Sequence, residues 1–151
     1  LFEFDTNLKI FPPLRSPEQV AALKTAIQAG IIDTLSSAHC AQGLEEKDCE
    51  FENAEAGMLN VQTFFALANE TLVASGLISL ARLMEIISQN PRKILGLPTS
   101  IVQENAPLDF TLFQPQAAWQ LTAKDIPSRA KNSPFLGKEL KGKVWGVLVG
   151  R

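Results

Sequence analysis

Leu35-Ser36-Ser37-Ala38-His39-Cys40-Ala41-Gln42 is the stretch on which the fold of this chain turns. It closes residues 31–36, a short apolar run that reads as a buried strand and that follows a helix signal. In an α/β architecture the end of such a strand delivers reactive side chains. The run offers an imidazole, a thiol and a carboxamide, and at Ala38 only a methyl.

Outward from that stretch the periodicities alternate. Upstream, Ser16-Pro17-Glu18-Gln19 opens a helix: Ser16 suits the N-cap, Pro17 the first helical position, and Gln19 can reach back in a capping box. Val20, Leu23 and Ile27 mark one face, and Gly30 fits the C-terminal cap. Downstream, residues 42–55 read as a polar, acidic loop. Val61, Phe64, Phe65, Ala68 and Leu72 trace the apolar stripe of a second helix that Gly76 ends. Leu80, Leu83, Met84 and Ile87 do the same for a third, capped by Ser79, and Pro91 stops it or starts a new turn. Leu1-Phe2-Glu3-Phe4-Asp5 alternates like a strand already under way. The chain opens without Met, so a fragment or cleaved product is the expectation.

After Pro98 the texture changes. Asp109-Phe110-Thr111-Leu112-Phe113, Ala118-Trp119-Gln120-Leu121 and Val144-Trp145-Gly146-Val147-Leu148-Val149 read as three strand segments punctuated by Pro and Gly. The expected fold class is α/β. Residues 1–97 form the closing part of a TIM-type barrel, and residues 98–151 a β-rich segment of a small composite domain. A complete eight-stranded barrel takes roughly 250 residues, more than this chain holds.

Composition bounds the function. The chain has 151 residues, 46% of them hydrophobic, with formal net charge -2, so no basic face invites nucleic acid. No apolar run approaches the roughly 18 residues of a membrane span. No charged-then-apolar leader is visible, and two cysteines make a disulfide scaffold a poor reading; a cytoplasmic protein with reduced Cys40 and Cys49 is expected. His39 is the only histidine and reads as a structural residue. A zinc site of His39, Cys40 and Cys49 lacks close paired spacing and a fourth ligand. Cys40 as a nucleophile lacks a base, because adjacent His39 would face the other side of the strand. The Glu45-Glu46-Lys47-Asp48 run reads as a solvated loop.

Five stretches, in order, resemble the dihydroorotase family of cyclic amidohydrolases. Phe4-Asp5-Thr6-Asn7-Leu8-Lys9-Ile10-Phe11-Pro12-Pro13-Leu14-Arg15 resembles its segment before the seventh barrel helix, and Glu45-Glu46-Lys47 its acidic loop. Asn90-Pro91-Arg92-Lys93-Ile94-Leu95-Gly96-Leu97 resembles its last barrel helix and exit. Leu108-Asp109-Phe110-Thr111-Leu112-Phe113-Gln114-Pro115 resembles its C-terminal strand, and Ala130-Lys131-Asn132-Ser133-Pro134-Phe135-Leu136-Gly137 its near-terminal turn. The Asn-Pro-x-x-Ile-Leu-Gly-Leu run is shared by many amidohydrolases; the Lys-Asn-Ser-Pro-Phe-x-Gly turn is more specific.

The resemblance implies a metal-assisted ring hydrolysis with an aspartate moving the proton. Where that family carries Asp-His-Ala-Pro-His, this chain has Ala38-His39-Cys40-Ala41-Gln42. The aspartate slot is Ala38, the following histidine is kept as His39, and the closing histidine is Gln42. The substrate-binding asparagine before Pro-Pro-Leu-Arg is Phe11, and the glycine of the substrate-facing loop is Gly57, preceded by Ala56. The resemblance thus implies a degenerate site at Phe11, Ala38, His39, Gln42 and Gly57, with no catalytic residue, metal ligand or cofactor from this chain. Zinc would enter only through ligands on upstream strands. The expected role is a non-catalytic, oligomeric dihydroorotase-like partner of aspartate transcarbamoylase in de novo pyrimidine synthesis. The alternative is an active zinc-dependent dihydroorotase, or a related cyclic amidohydrolase, with an altered site.

Overall fold

The computed structural model describes residues 4–99 and 101–150. A 3-10 turn at Thr6–Leu8 precedes helix α1 (Pro17–Gln28). A long irregular segment with several turns then leads to α2 (Phe64–Ala68), which runs on through a π-turn at Asn69–Ala74. Helix α3 (Leu80–Met84) likewise runs through a π-turn at Glu85–Gln89 into α4 (Asn90–Ile94). Strands β1 (Leu108–Gln120) and β2 (Glu139–Gly150) form an antiparallel ribbon.

The local signals explain the helix starts. Ser16 Oγ accepts from the Gln19 N–H and the Gln19 carboxamide oxygen accepts from the Ser16 N–H, a complete capping box with Pro17 beside it. Ser79 Oγ accepts from the Arg82 N–H at 3.1 Å and starts α3. Gly30 and Gly76 take φ of 77° and 76°, the left-handed turn that ends a helix at little cost without a Cβ. Pro91 opens α4 rather than stopping the helix before it.

Two clusters make the core. Ile27, Phe65, Ala68, Leu72, Leu83 and Ile86 gather where α1 meets α2 and α3, with Phe113 of β1 against them. Leu59, Ala66, Leu121, Ile126 and Leu140 form the second, joining α2 to the ribbon. At Gly142, φ 113°, the ribbon comes so close to α2 that an added Cβ would lie 3.4 Å from the Ala66 Cα.

Several expectations change. Residues 31–36 are extended but pair with no strand among the described residues; Leu35 donates its N–H to the Ile86 carbonyl instead, and Ile31 is exposed. A strand exists only beside a neighbour, and here the neighbour is the helical run through Ile86. Phe4 and Asp5 are irregular, with Asp5 capping the first turn; residues 1–3 of that expected strand lie outside the described residues. Val20 and Leu23 stay at the surface, so α1 buries only Ile27, and Val61 sits in an exposed turn before α2. The two segments expected near 109–113 and 118–121 are one strand, its register broken between Gln114 and Ala118 around Pro115, which has no N–H to donate. Asn69, buried at the start of the π-turn that continues α2, donates to the Pro115 and Lys141 carbonyls and fastens that irregularity to the helix. No helix among the described residues is long and apolar enough to cross a membrane.

Candidate functional site

The segments holding the expected site residues meet at one mouth, held by backbone pairing and single side chains. The Cys40 N–H donates to the Met58 carbonyl at 2.9 Å, within a lone parallel bridge between His39 and Met58. The Gly57 N–H donates to the Lys9 carbonyl at 2.9 Å, bringing in the segment that leads to Phe11. His39, Gln42 and Gly57 are thereby brought together. Ala38 precedes them at φ 48°, a left-handed turn unusual for a residue with a Cβ. Phe11 stands apart, exposed, on a groove of about 760 Å³ that also holds Leu14, Phe51 and Ala56, the residue before Gly57.

His39 is exposed, with its ring tied to the backbone. Its Nδ1 accepts from the Asn60 and Val61 N–H groups at 3.1 and 3.2 Å, which places the proton of the neutral ring on Nε2. Asn60 in turn donates to the Ser37 carbonyl. This is a ring that fixes a turn. Gln42 donates from Nε2 to the Ala56 carbonyl at 3.0 Å, so its carboxamide crosses the mouth and ties the two sides.

Two residues outside the expected set do most of the tying. Asn132, buried, donates from Nδ2 to the Gly57 and Cys40 carbonyls and accepts on Oδ1 from the Gln42 N–H. Lys47, expected in a solvated loop, is also buried, 7% exposed, and donates to the Thr6, Lys9 and Glu55 carbonyls. Burial first, and then the nearby Lys9 charge, push its pKa below the ordinary lysine value. The sequence carried a faint signal for each. Lys47 is the lone base within an acidic run, and Asn132 lies in the turn whose pattern is most family-specific.

The donor set does not fit a zinc ion. Among the described residues no three His, Cys, Asp or Glu side chains converge, and both cysteines are free thiols. The hydrogen bonds reaching residues 38–42 come from Ser36, Asn60, Val61, Ala56, Met58 and Asn132, without a carboxylate among the described residues. The mouth can bind and orient by hydrogen bonds.

Comparison with known proteins places this geometry. The dihydroorotase of Elusimicrobium minutum is 40% identical over 147 residues, covering 97% of this chain and 34% of that protein. The dihydroorotase of Geobacter metallireducens is 37% identical over 147 residues, with the same coverage. Over nearly its whole length the chain is similar to these dihydroorotases. It spans about a third of the length of the relatives it matches. No family model matches it. Among solved structures, the L-hydantoinase (dihydropyrimidinase) of Arthrobacter aurescens superposes with a TM-score of 0.85 at 27% identity, over 97% of this chain and 34% of that one. A D-hydantoinase (dihydropyrimidinase) from Thermus sp. gives 0.75 at 21% identity, over 95% of this chain and 32% of that one, a likeness of fold alone. The chain is an α/β protein whose fold is the closing part of an amidohydrolase barrel followed by a two-stranded unit.

Proposed function

We propose that this chain belongs to a cytoplasmic dihydroorotase-like protein of de novo pyrimidine synthesis that does not catalyse ring hydrolysis. In this reading it serves as an oligomeric structural partner of aspartate transcarbamoylase. The observation that carries the reading is Ala38: a methyl stands where the family resemblance calls for a proton-moving carboxylate, and no other carboxylate among the described residues hydrogen-bonds to the mouth. Losing a general base costs about 10²–10⁴ in rate. The Gln42 carboxamide lacks imidazole basicity, and Phe11 offers a ring in place of an amide. A barrel tolerates such losses because its core and its mouth use different residues.

The identity to proteins named dihydroorotase favours a second reading, an active zinc-dependent enzyme or related cyclic amidohydrolase whose proton acceptor lies elsewhere. One assay separates them. The whole protein carrying this chain, supplied with zinc, is expected to leave dihydroorotate unchanged. It is expected to co-sediment with aspartate transcarbamoylase from the same source. Turnover that a chelator abolishes would establish the second reading and end the first. Turnover gained by Ala38→Asp with Gln42→His and Phe11→Asn would show that the metal ligands survive upstream.

A further inference from the structure

We infer that Lys47 and Asn132 are the positioning residues of this mouth, a two-sided clasp that holds the Gly57 peptide against Cys40. The Gly57 N–H is bound to the Lys9 carbonyl at 2.9 Å, and that same carbonyl accepts from Lys47 Nζ at 3.3 Å. Nζ also donates to the Thr6 carbonyl at 2.8 Å and the Glu55 carbonyl at 2.7 Å, while Thr6 Oγ1 donates back to the Lys47 carbonyl at 2.7 Å. On the other side the Gly57 carbonyl accepts from Asn132 Nδ2 at 3.2 Å. The Asn132 side chain reaches the Cys40 carbonyl at 3.5 Å and the Gln42 N–H at 3.1 Å, and its own carbonyl accepts from the Leu59 N–H at 2.9 Å.

The donor inventories are spent in full. A lysine ammonium has three N–H donors and no acceptor, and Lys47 places all three on carbonyls, two in the Thr6–Lys9 segment and one at Glu55. An asparagine amide has two donors, and Asn132 places both on the carbonyls flanking the contact between Cys40 and Gly57. The fit at that contact leaves no slack: a Cβ on Gly57 would lie 3.0 Å from the Cys40 Cβ, carbonyl oxygen and Sγ. Neither residue is bonded to the side chain of Ala38, His39 or Gln42. Both act through backbone, so the clasp sets the mouth's shape whatever side chain stands at position 38. It therefore holds whether or not the whole protein hydrolyses a cyclic amide, and its test uses no turnover.

The test is hydrogen exchange at single amides in the whole protein. Lys47→Met and Asn132→Ala are each expected to speed exchange at Gly57 and Cys40 by about tenfold or more, the scale of losing hydrogen bonds to a charged or buried group. Exchange at Leu83 in α3 is expected to stay as it was. In Lys47→Ala, added propylammonium is expected to slow Gly57 exchange again, and sodium chloride at equal ionic strength to leave it fast. Exchange at Gly57 that does not move, or that rises only in step with Leu83, overturns the inference, as does the failure of propylammonium to rescue. Should the variants not fold, the unmodified protein still decides. The amides of Lys47, Glu55 and Gly57 are expected to open at one shared rate, and a Gly57 amide that exchanges freely while the other two stay protected refutes the clasp.

Discussion

The helices and the mouth are held together by opposite means. Around α2 and α3 the ties are apolar, repeated and near in sequence: Leu83 and Ile86 are wholly buried, three residues apart, and pack with Leu72 and Phe65. Around residues 38–60 regular structure shrinks to a single bridge, and the ties are lone side chains reaching far along the chain. Asn132 joins Gln42 across 90 residues and Gly57 across 75, and Lys47 reaches Thr6 across 41. A packed stripe spreads its stability over many contacts, whereas a tied loop concentrates it in a few hydrogen bonds. The first tolerates sequence drift and keeps the fold; the second keeps a shape only while each tie is present.

The sharpest way to break that comparison is to open the apolar side. Leu83→Ala removes three carbons from a site with no exposure, and a cost of about 2–5 kcal/mol is expected in urea unfolding of the whole protein. A cost under about 1 kcal/mol would mean that the helical cluster is not a stabilising centre of the chain. Gly57→Ala comes next. It asks an L-residue to hold φ 150° and sets a methyl 3.0 Å from Cys40, and about 1–3 kcal/mol is expected. The difference between the two should also show in where the loss falls. Leu83→Ala is expected to loosen amides across α2 and α3, and Gly57→Ala those at residues 38–60, read by hydrogen exchange.

The same contrast decides what could be seen in the sequence. Periodicity is a local property, so Leu80, Leu83, Met84 and Ile87 announce a helix, and Ser16 and Ser79 announce their caps, without knowledge of anything distant. Strand pairing is not local. Residues 31–36 have the composition of a buried strand, yet what they become depends on what lies beside them, and among the described residues that is the π-turn, at Ile86. Pro115 read as a break between two strands, and Asn69 on a distant helix makes it a bend within one. At the mouth, the substituted positions could be located by resemblance, because resemblance reads residue types in order. The tying roles of Asn132 and Lys47 could not, because an amide in a turn and a base in an acidic loop look like surface until the chain brings carbonyls to meet them.

A third kind of tie tests whether distance or burial makes the mouth special. The turn at Ala123–Asp125 is exposed and local, yet it too is held by side chains: Asp125 Oδ2 accepts from Thr122 Oγ1 at 2.6 Å and from the Thr122 N–H at 2.8 Å. Those two hydrogen bonds, the hydroxyl's first, hold the Asp125 pKa below the ordinary aspartate value. With the folded pKa depressed, the stabilisation is present above the unfolded pKa and is lost as pH falls through the folded one, where the carboxyl takes up its proton and ceases to be a strong acceptor. Asp125→Asn is therefore expected to lower the urea midpoint slightly near neutrality, and parent and variant are expected to converge on the acid side. The effect should be the smallest of the three, because water competes for every partner in this turn. If it instead matched Gly57→Ala, exposure would not weaken such ties, and the mouth would owe its shape to the number of its hydrogen bonds rather than to the burial of Lys47 and Asn132.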